Sequence, residues 1–122
     1  VDLTTGVELH GDWTVVRVNG EVDIATAPRL REQLIELVAD GHHRLVLDLD
    51  GVEFLDSTGL GVIVGALKRA RSQGGDLRLV CTRPRLTKVF RLTALDRAMP
   101  LSATTEEAIS APPPAPTGAG DR

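Results

Sequence analysis

Five residues, Leu45-Val46-Leu47-Asp48-Leu49, leave this chain few ways to fold. The run is too short for a helix between its flanking turn residues, and too apolar for a sheet edge open to water. It predicts a central strand buried on both faces, and other elements must then cover both sides of it.

The rest of the chain supplies such elements. Val7 to Asn19 alternates imperfectly, with Val15, Val16 and Val18 among Trp13, Thr14 and Arg17, and turn signals stand at Gly11-Asp12 and Asn19-Gly20. This pattern predicts two antiparallel strands. Thr26 then offers a hydroxyl cap and Pro28 fits a first helical turn, while Leu30, Leu34, Leu37 and Val38 keep helical spacing up to Gly41. A second amphipathic helix begins at or beside Ser57: Leu60, Ile63, Val64, Leu67 and Ala70 share one face, Lys68, Arg69 and Arg71 suit its last turn, and Gly74-Gly75 ends it.

Leu77 to Cys81 predicts a further strand. Pro84 opens a short helix with Leu86, Val89 and Phe90 inward, Met99-Pro100-Leu101 adds a brief strand, and Thr104 with Glu107 forms a capping box for a last helix ending near Ser110. Ala94 follows the third helix, where a residue must leave the helix without positive φ. The order of elements predicts an α/β domain over residues 1–110, a mixed sheet of four to five strands with about four helices packed on it. Residues 111–122, with Ala111-Pro112-Pro113-Pro114-Ala115-Pro116 and a Gly-rich end, read as a disordered tail.

Composition narrows the function. At 122 residues and 42% hydrophobic content the chain suits one compact domain, and its core must be filled by aliphatic side chains because only Trp13, Phe54 and Phe90 are aromatic. A formal charge of -3 gives no electrostatic reason to bind nucleic acid or an anionic membrane. No apolar run reaches the length of a membrane span and no charged-then-apolar leader opens the chain, so a cytoplasmic location is expected. Cys81 reads as a buried strand residue. His10, His42 and His43 make no metal-ligand spacing and belong in solvated turns, so neither metal nor cofactor is expected.

Whatever chemistry there is lies in Asp48-Leu49-Asp50-Gly51-Val52-Glu53-Phe54-Leu55-Asp56-Ser57-Thr58-Gly59-Leu60-Gly61, read as a strand followed by a loop. A serine at a helix start is most simply an N-cap. However, Phe-Leu-Asp-Ser-Thr-Gly-Leu-Gly after an apolar strand, with Gly20-Glu21-Val22-Asp23 and Thr26-Ala27-Pro28 upstream, resembles the phosphoacceptor segment of anti-sigma factor antagonists, members of the STAS domain family. The resemblance covers about residues 7–110.

The resemblance implies a non-enzymatic partner switch. Ser57 would be phosphorylated by an anti-sigma factor acting as a serine kinase and restored by a serine phosphatase, and the unphosphorylated form would bind the anti-sigma factor and release the sigma factor. The expected partner-binding residues are Glu21, Asp23, Asp56, Thr58, Gly59, Leu60 and Gly61. Blander readings stand beside these: Asp56 as a helix cap, Gly59 and Gly61 as tight helix-to-sheet packing, and Leu60 as core.

Other readings fit less well. Asp48-x-Asp50 resembles the nucleophile and acid of haloacid-dehalogenase-like phosphatases, but in those enzymes that strand comes first and the chain is longer. A receiver domain lacks its acidic pair here, and no histidine is tied by a motif to Ser57 as a hydrolase base. The alternative within the fold is a non-phosphorylated scaffold subunit of a lipid-transport or signalling complex.

Overall fold

The computed structural model describes residues 2–114, and most of the expected tail lies outside them. The elements run β1 (Leu3–His10), β2 (Trp13–Val22), α1 (Ala27–Ala39), β3 (Arg44–Leu55), α2 (Ser57–Ser72), β4 (Asp76–Val80), α3 (Pro84–Leu92), α4 (Leu95–Ala98), β5 (Leu101–Ser102) and α5 (Thr105–Ser110). The sheet order is β1-β2-β3-β4-β5, with β1 antiparallel to β2 and the remaining neighbours parallel. This is the α/β mixed sheet expected, with five strands and with five helices in place of about four. The additional helix, α4, is a single turn too short to show a period.

β3 is the central strand, and both its faces are covered. Leu45, Leu47 and Leu49 enter the main core with Val16 and Val18 of β2, Leu30 and Leu34 of α1, Ile63 and Ala66 of α2, and Leu86 and Phe90 of α3. On the other face Val46 joins Val15, Val80 and Ala108 in a smaller core under α5, with Trp13 and Ile109 at its margin.

A buried cation joins α5 to that second face. Arg78 stacks over the Trp13 ring at 4.5 Å, and its Nη1 donates towards the carbonyls of Ala108 (2.8 Å), Ile109 (3.1 Å) and Ala111 (2.7 Å), groups left open at the end of α5. At the start of the same helix Thr104 Oγ1 accepts from the Glu107 N–H, while the Glu107 carboxylate reaches back to the N–H of Ala103, one residue earlier than in the usual box.

Four sequence expectations need correcting. Asn19-Gly20 is not a turn between strands but lies inside β2, and Asp50-Gly51 is not the start of a loop, because β3 continues to Leu55. The two signals answer each other: Asn19 pairs with Gly51, and register shifts flank this point. A Cβ on Gly51 would meet Asn19 Oδ1 at 1.9 Å and the Val18 carbonyl oxygen at 3.0 Å, so a larger residue there would have to displace the Asn19 side chain at the bulge. Thirdly, Thr26 sits at the N-cap of α1 but makes no side-chain cap bond. Lastly, Ala94 leaves the helix with φ 60, in the left-handed region.

That conformation costs an alanine about 1 kcal/mol. Ala94→Gly removes the cost but adds freedom to the unfolded chain, worth about 0.4–1 kcal/mol the other way. The urea unfolding midpoint of Ala94→Gly should therefore rise slightly, by the equivalent of about 0.5 kcal/mol, and a fall would show that the αL strain is relieved by its surroundings.

Candidate functional site

β2 and β3 run in parallel to the same end of the sheet, where Val22 pairs with Leu55. One bond extends the pairing past the strands, the Asp56 N–H donating to the Val22 carbonyl at 3.2 Å. It brings the turn carrying Glu21 and Asp23 beside the turn carrying Asp56 and Ser57.

The cap of α2 is Asp56, not Ser57. Asp56 has extended backbone angles, and its Oδ1 accepts from the Gly59 N–H at 3.0 Å. Ser57 is the first helical residue, exposed, and its hydroxyl makes no hydrogen bond to any described residue. An acidic cap therefore leaves the hydroxyl next to it free of the capping role. Thr58 is exposed as well, and Leu60 is partly buried against the main core.

The two glycines of the motif differ. A Cβ on Gly59 would stand 2.6 Å from Val22 Cγ1, 2.7 Å from Leu55 Cδ1 and 3.0 Å from the Val22 carbonyl oxygen, so the helix start lies directly on the strand ends. Gly61 is exposed and a Cβ there would meet nothing within 4 Å. Tight packing explains Gly59 and leaves Gly61 unexplained by this chain alone.

On the β2 side, Asp23 Oδ1 accepts from the N–H groups of Ala25 (2.9 Å) and Thr26 (3.0 Å). The Thr26 N–H is the chief cause holding the Asp23 carboxyl below its usual value, against a smaller opposing effect of desolvation. Asp23 is thus an anion across the neutral range. Glu21 is partly buried and pairs across the strands with Phe54.

Sequence patterns did not reveal two exposed apolar side chains near the ends of β2 and β3. Ile24, 76% exposed, follows Asp23, and Phe54, 47% exposed, lies near the end of β3. Neither has a periodic partner, and the only signal available was the presence of large apolar residues in segments otherwise read as loop. Thr58 and Val62 of α2 also face Ala27, Pro28 and Arg31 of α1 across a shallow, largely apolar groove.

The other candidates have local work. Asp48 Oδ1 accepts from the Asp50 N–H, and Asp50 Oδ1 accepts from the N–H and hydroxyl of Thr82, fixing the segment that follows β4. Burial pushes the Cys81 thiol up, which keeps it unreactive. His10, His42 and His43 flank the starts of β2 and β3, whereas Ser57 follows the end of β3; His42 Nδ1 lies 3.0 Å from Thr14 Oγ1. Among the described residues no three His, Cys, Asp or Glu side chains converge as a metal site, and no helix is long and apolar enough to cross a membrane.

Comparison with known proteins places this geometry. Residues 5–108 match the family model of the STAS domain. The chain is 40% identical over 106 residues to the anti-sigma-B factor antagonist of Bacillus subtilis (strain 168), covering 87% of this chain and 96% of the relative. Its fold matches the crystal structure of an anti-sigma factor antagonist from Mycobacterium paratuberculosis with a TM-score of 0.82 and 37% identity, covering 89% and 92% of the two chains. It also matches the Bacillus cell fate determinant SpoIIAA in its phosphorylated form, with a TM-score of 0.69 and 25% identity over 87% and 96% of the chains.

The contrast between the glycines is measurable. In Gly59→Ala the gain in helix propensity, at most about 1 kcal/mol, is outweighed by overpacking of about 1–3 kcal/mol against the buried Val22. Chemical unfolding should show Gly59→Ala less stable by about 1–2 kcal/mol and Gly61→Ala more stable by about 0.5–1 kcal/mol. A shift of both variants in one direction would refute the distinction.

Proposed function

The chain belongs to the STAS domain family, and on that premise we propose that it is an anti-sigma factor antagonist switched by phosphorylation of Ser57. In this reading the unphosphorylated form binds an anti-sigma factor, which thereby releases its sigma factor. That same anti-sigma factor, as an ATP-dependent serine kinase, phosphorylates Ser57 and ends the interaction, and a serine phosphatase restores the hydroxyl.

The observation that carries the proposal is the division of labour at the start of α2. Asp56 satisfies the cap, so the exposed Ser57 hydroxyl is not required by the fold and is open to a kinase. A phosphate there brings about -1.5 to -2 charges to a helix N-terminus, where free N–H groups and the positive end of the dipole favour it by about 0.3–1 kcal/mol. The modified chain keeps its structure, and the partner feels the change.

Glu21 and Asp23 are the proposed acceptors for the partner's cation or Mg-nucleotide, with Thr58 and Leu60 at the contact, and Gly61 is where a partner's backbone approaches closely. Asp56 serves the interface through the turn it caps, and Gly59 by seating the helix start. Ile24 and Phe54 add apolar contact on the rim. A dianion added to a face that already carries Glu21, Asp23 and Asp56 loses its water when the partner closes over it and adds like charge there, which costs several kcal/mol. Inverting a bound population from about 99:1 to about 1:99 needs about 5.5 kcal/mol, and the loss of solvation is of that order.

The test is incubation with candidate anti-sigma factor kinases and ATP, followed by site mapping by mass spectrometry. One phosphate is expected on Ser57 and none on Ser57→Ala. Ser57→Ala should still bind the anti-sigma factor, and Ser57→Asp should bind it at least about tenfold more weakly. Phosphate on another residue, or copurification with a membrane transporter and no kinase, would replace the switch by the scaffold reading.

A further inference from the structure

Thr26 stands where a threonine ordinarily caps a helix, yet its hydroxyl does not cap α1. The side chain is buried, 8% exposed, and serves the preceding turn. Its Oγ1 donates to the Glu21 carbonyl at 2.7 Å and accepts from the Asp23 N–H at 3.0 Å. A hydroxyl has one proton, and the shorter bond to Glu21 takes it, so the 3.2 Å approach to Asp23 Oδ1 is secondary. Asp23 Oδ1 is held by two backbone N–H groups, while Asp23 Oδ2 makes no hydrogen bond among the described residues.

We infer that Thr26 is a positioning residue for the Ser57 site: its buried hydroxyl locks the turn from Glu21 to Asp23, so that one Asp23 oxygen is tied down and the other is presented to a cation of the partner. The inference rests on the proposed role of Asp23 as the acceptor for that cation. Val22, between the two residues Thr26 holds, accepts the Asp56 N–H through its carbonyl. The hydroxyl therefore fixes the turn against which Ser57 is seated. Without it the Glu21 carbonyl and the Asp23 N–H lose their partner, and the Asp23 side chain is no longer confined to one orientation.

Thr26→Val keeps the shape and removes the hydroxyl, Thr26→Ser keeps the hydroxyl, and Thr26→Ala is the variant to use if valine is not accommodated. Two readouts on the full chain are needed, the titration midpoint of Asp23 followed by NMR and the affinity for an anti-sigma factor kinase that binds the parent chain. In Thr26→Val the Asp23 midpoint should rise towards the ordinary value of 3.8 and affinity should fall about tenfold. Thr26→Ser should keep both near the parent values. In an Asp23→Asn background Thr26→Val should cause no further loss of affinity, because it acts through Asp23.

An unchanged midpoint in Thr26→Val, or an equal loss in the Asp23→Asn background, overturns the inference. If the parent chain binds no anti-sigma factor kinase, the proposed function fails. The Asp23 titration then decides alone whether Thr26 positions this carboxylate.

Discussion

Parallel pairing of β2 with β3 underlies the site, because it alone brings residues about 35 apart in the chain into one surface. The pairing is irregular where it matters. Asn19 and Gly51 face one another at a double break in register, and beyond it the strands resume with Glu21 opposite Phe54 and Val22 opposite Leu55. A bulge bends and twists a strand, and here the pairing continues past it to the ends of both strands, so their following turns meet. The bond from the Asp56 N–H to the Val22 carbonyl then seals the junction.

Packing and polar bonding divide the work at that junction. Gly59 allows α2 to start in contact with Val22 and Leu55, and any side chain there would force the helix away from the strands. Asp56 and Asp23 each tie one carboxylate oxygen to backbone N–H groups of the turn that follows them. Both acids thus do local structural work while their turns lie side by side. The bland and the functional readings of Asp56 are not in competition: a cap supplied by the neighbour is what leaves the Ser57 hydroxyl unoccupied.

The architecture was legible wherever a single physical rule decided it. Leu45 to Leu49 announced a strand buried on two faces, and the helical spacing of Leu30, Leu34 and Val38 or of Ile63, Leu67 and Ala70 named the faces of α1 and α2 that pack. Local rules failed where tertiary pairing overrode them. Asn19-Gly20 and Asp50-Gly51 are turn dipeptides by propensity, yet each sits within a long strand because the other stands opposite. Thr26 and Ala94 show the same limit: one hydroxyl is claimed by a carbonyl upstream, and one alanine takes a left-handed conformation at a corner between helices. Of the candidate site, Asp23, Asp56 and Ser57 were named from their motif, and the fold brings their two turns side by side. Ile24 and Phe54 were not, since exposure is a property of the folded surface.

In the proposed switch, a charge added at Ser57 would act on a partner and leave the fold in place. On the free chain a phosphate would be exposed to water, at the dipole end that suits it and in a helix whose first turn holds no acid beyond the cap. A partner seated on Ile24 and Phe54, as proposed, would remove that water. In the proposed complex the anion would share its face with Asp23, held in its charged form by the N–H groups of its own turn, and like charges in a dry interface repel more strongly than in solvent. In the proposed switch, the same acid that attracts a cation towards the unmodified serine would oppose the modified one, and the scaffold would not need to move for the partner to be released.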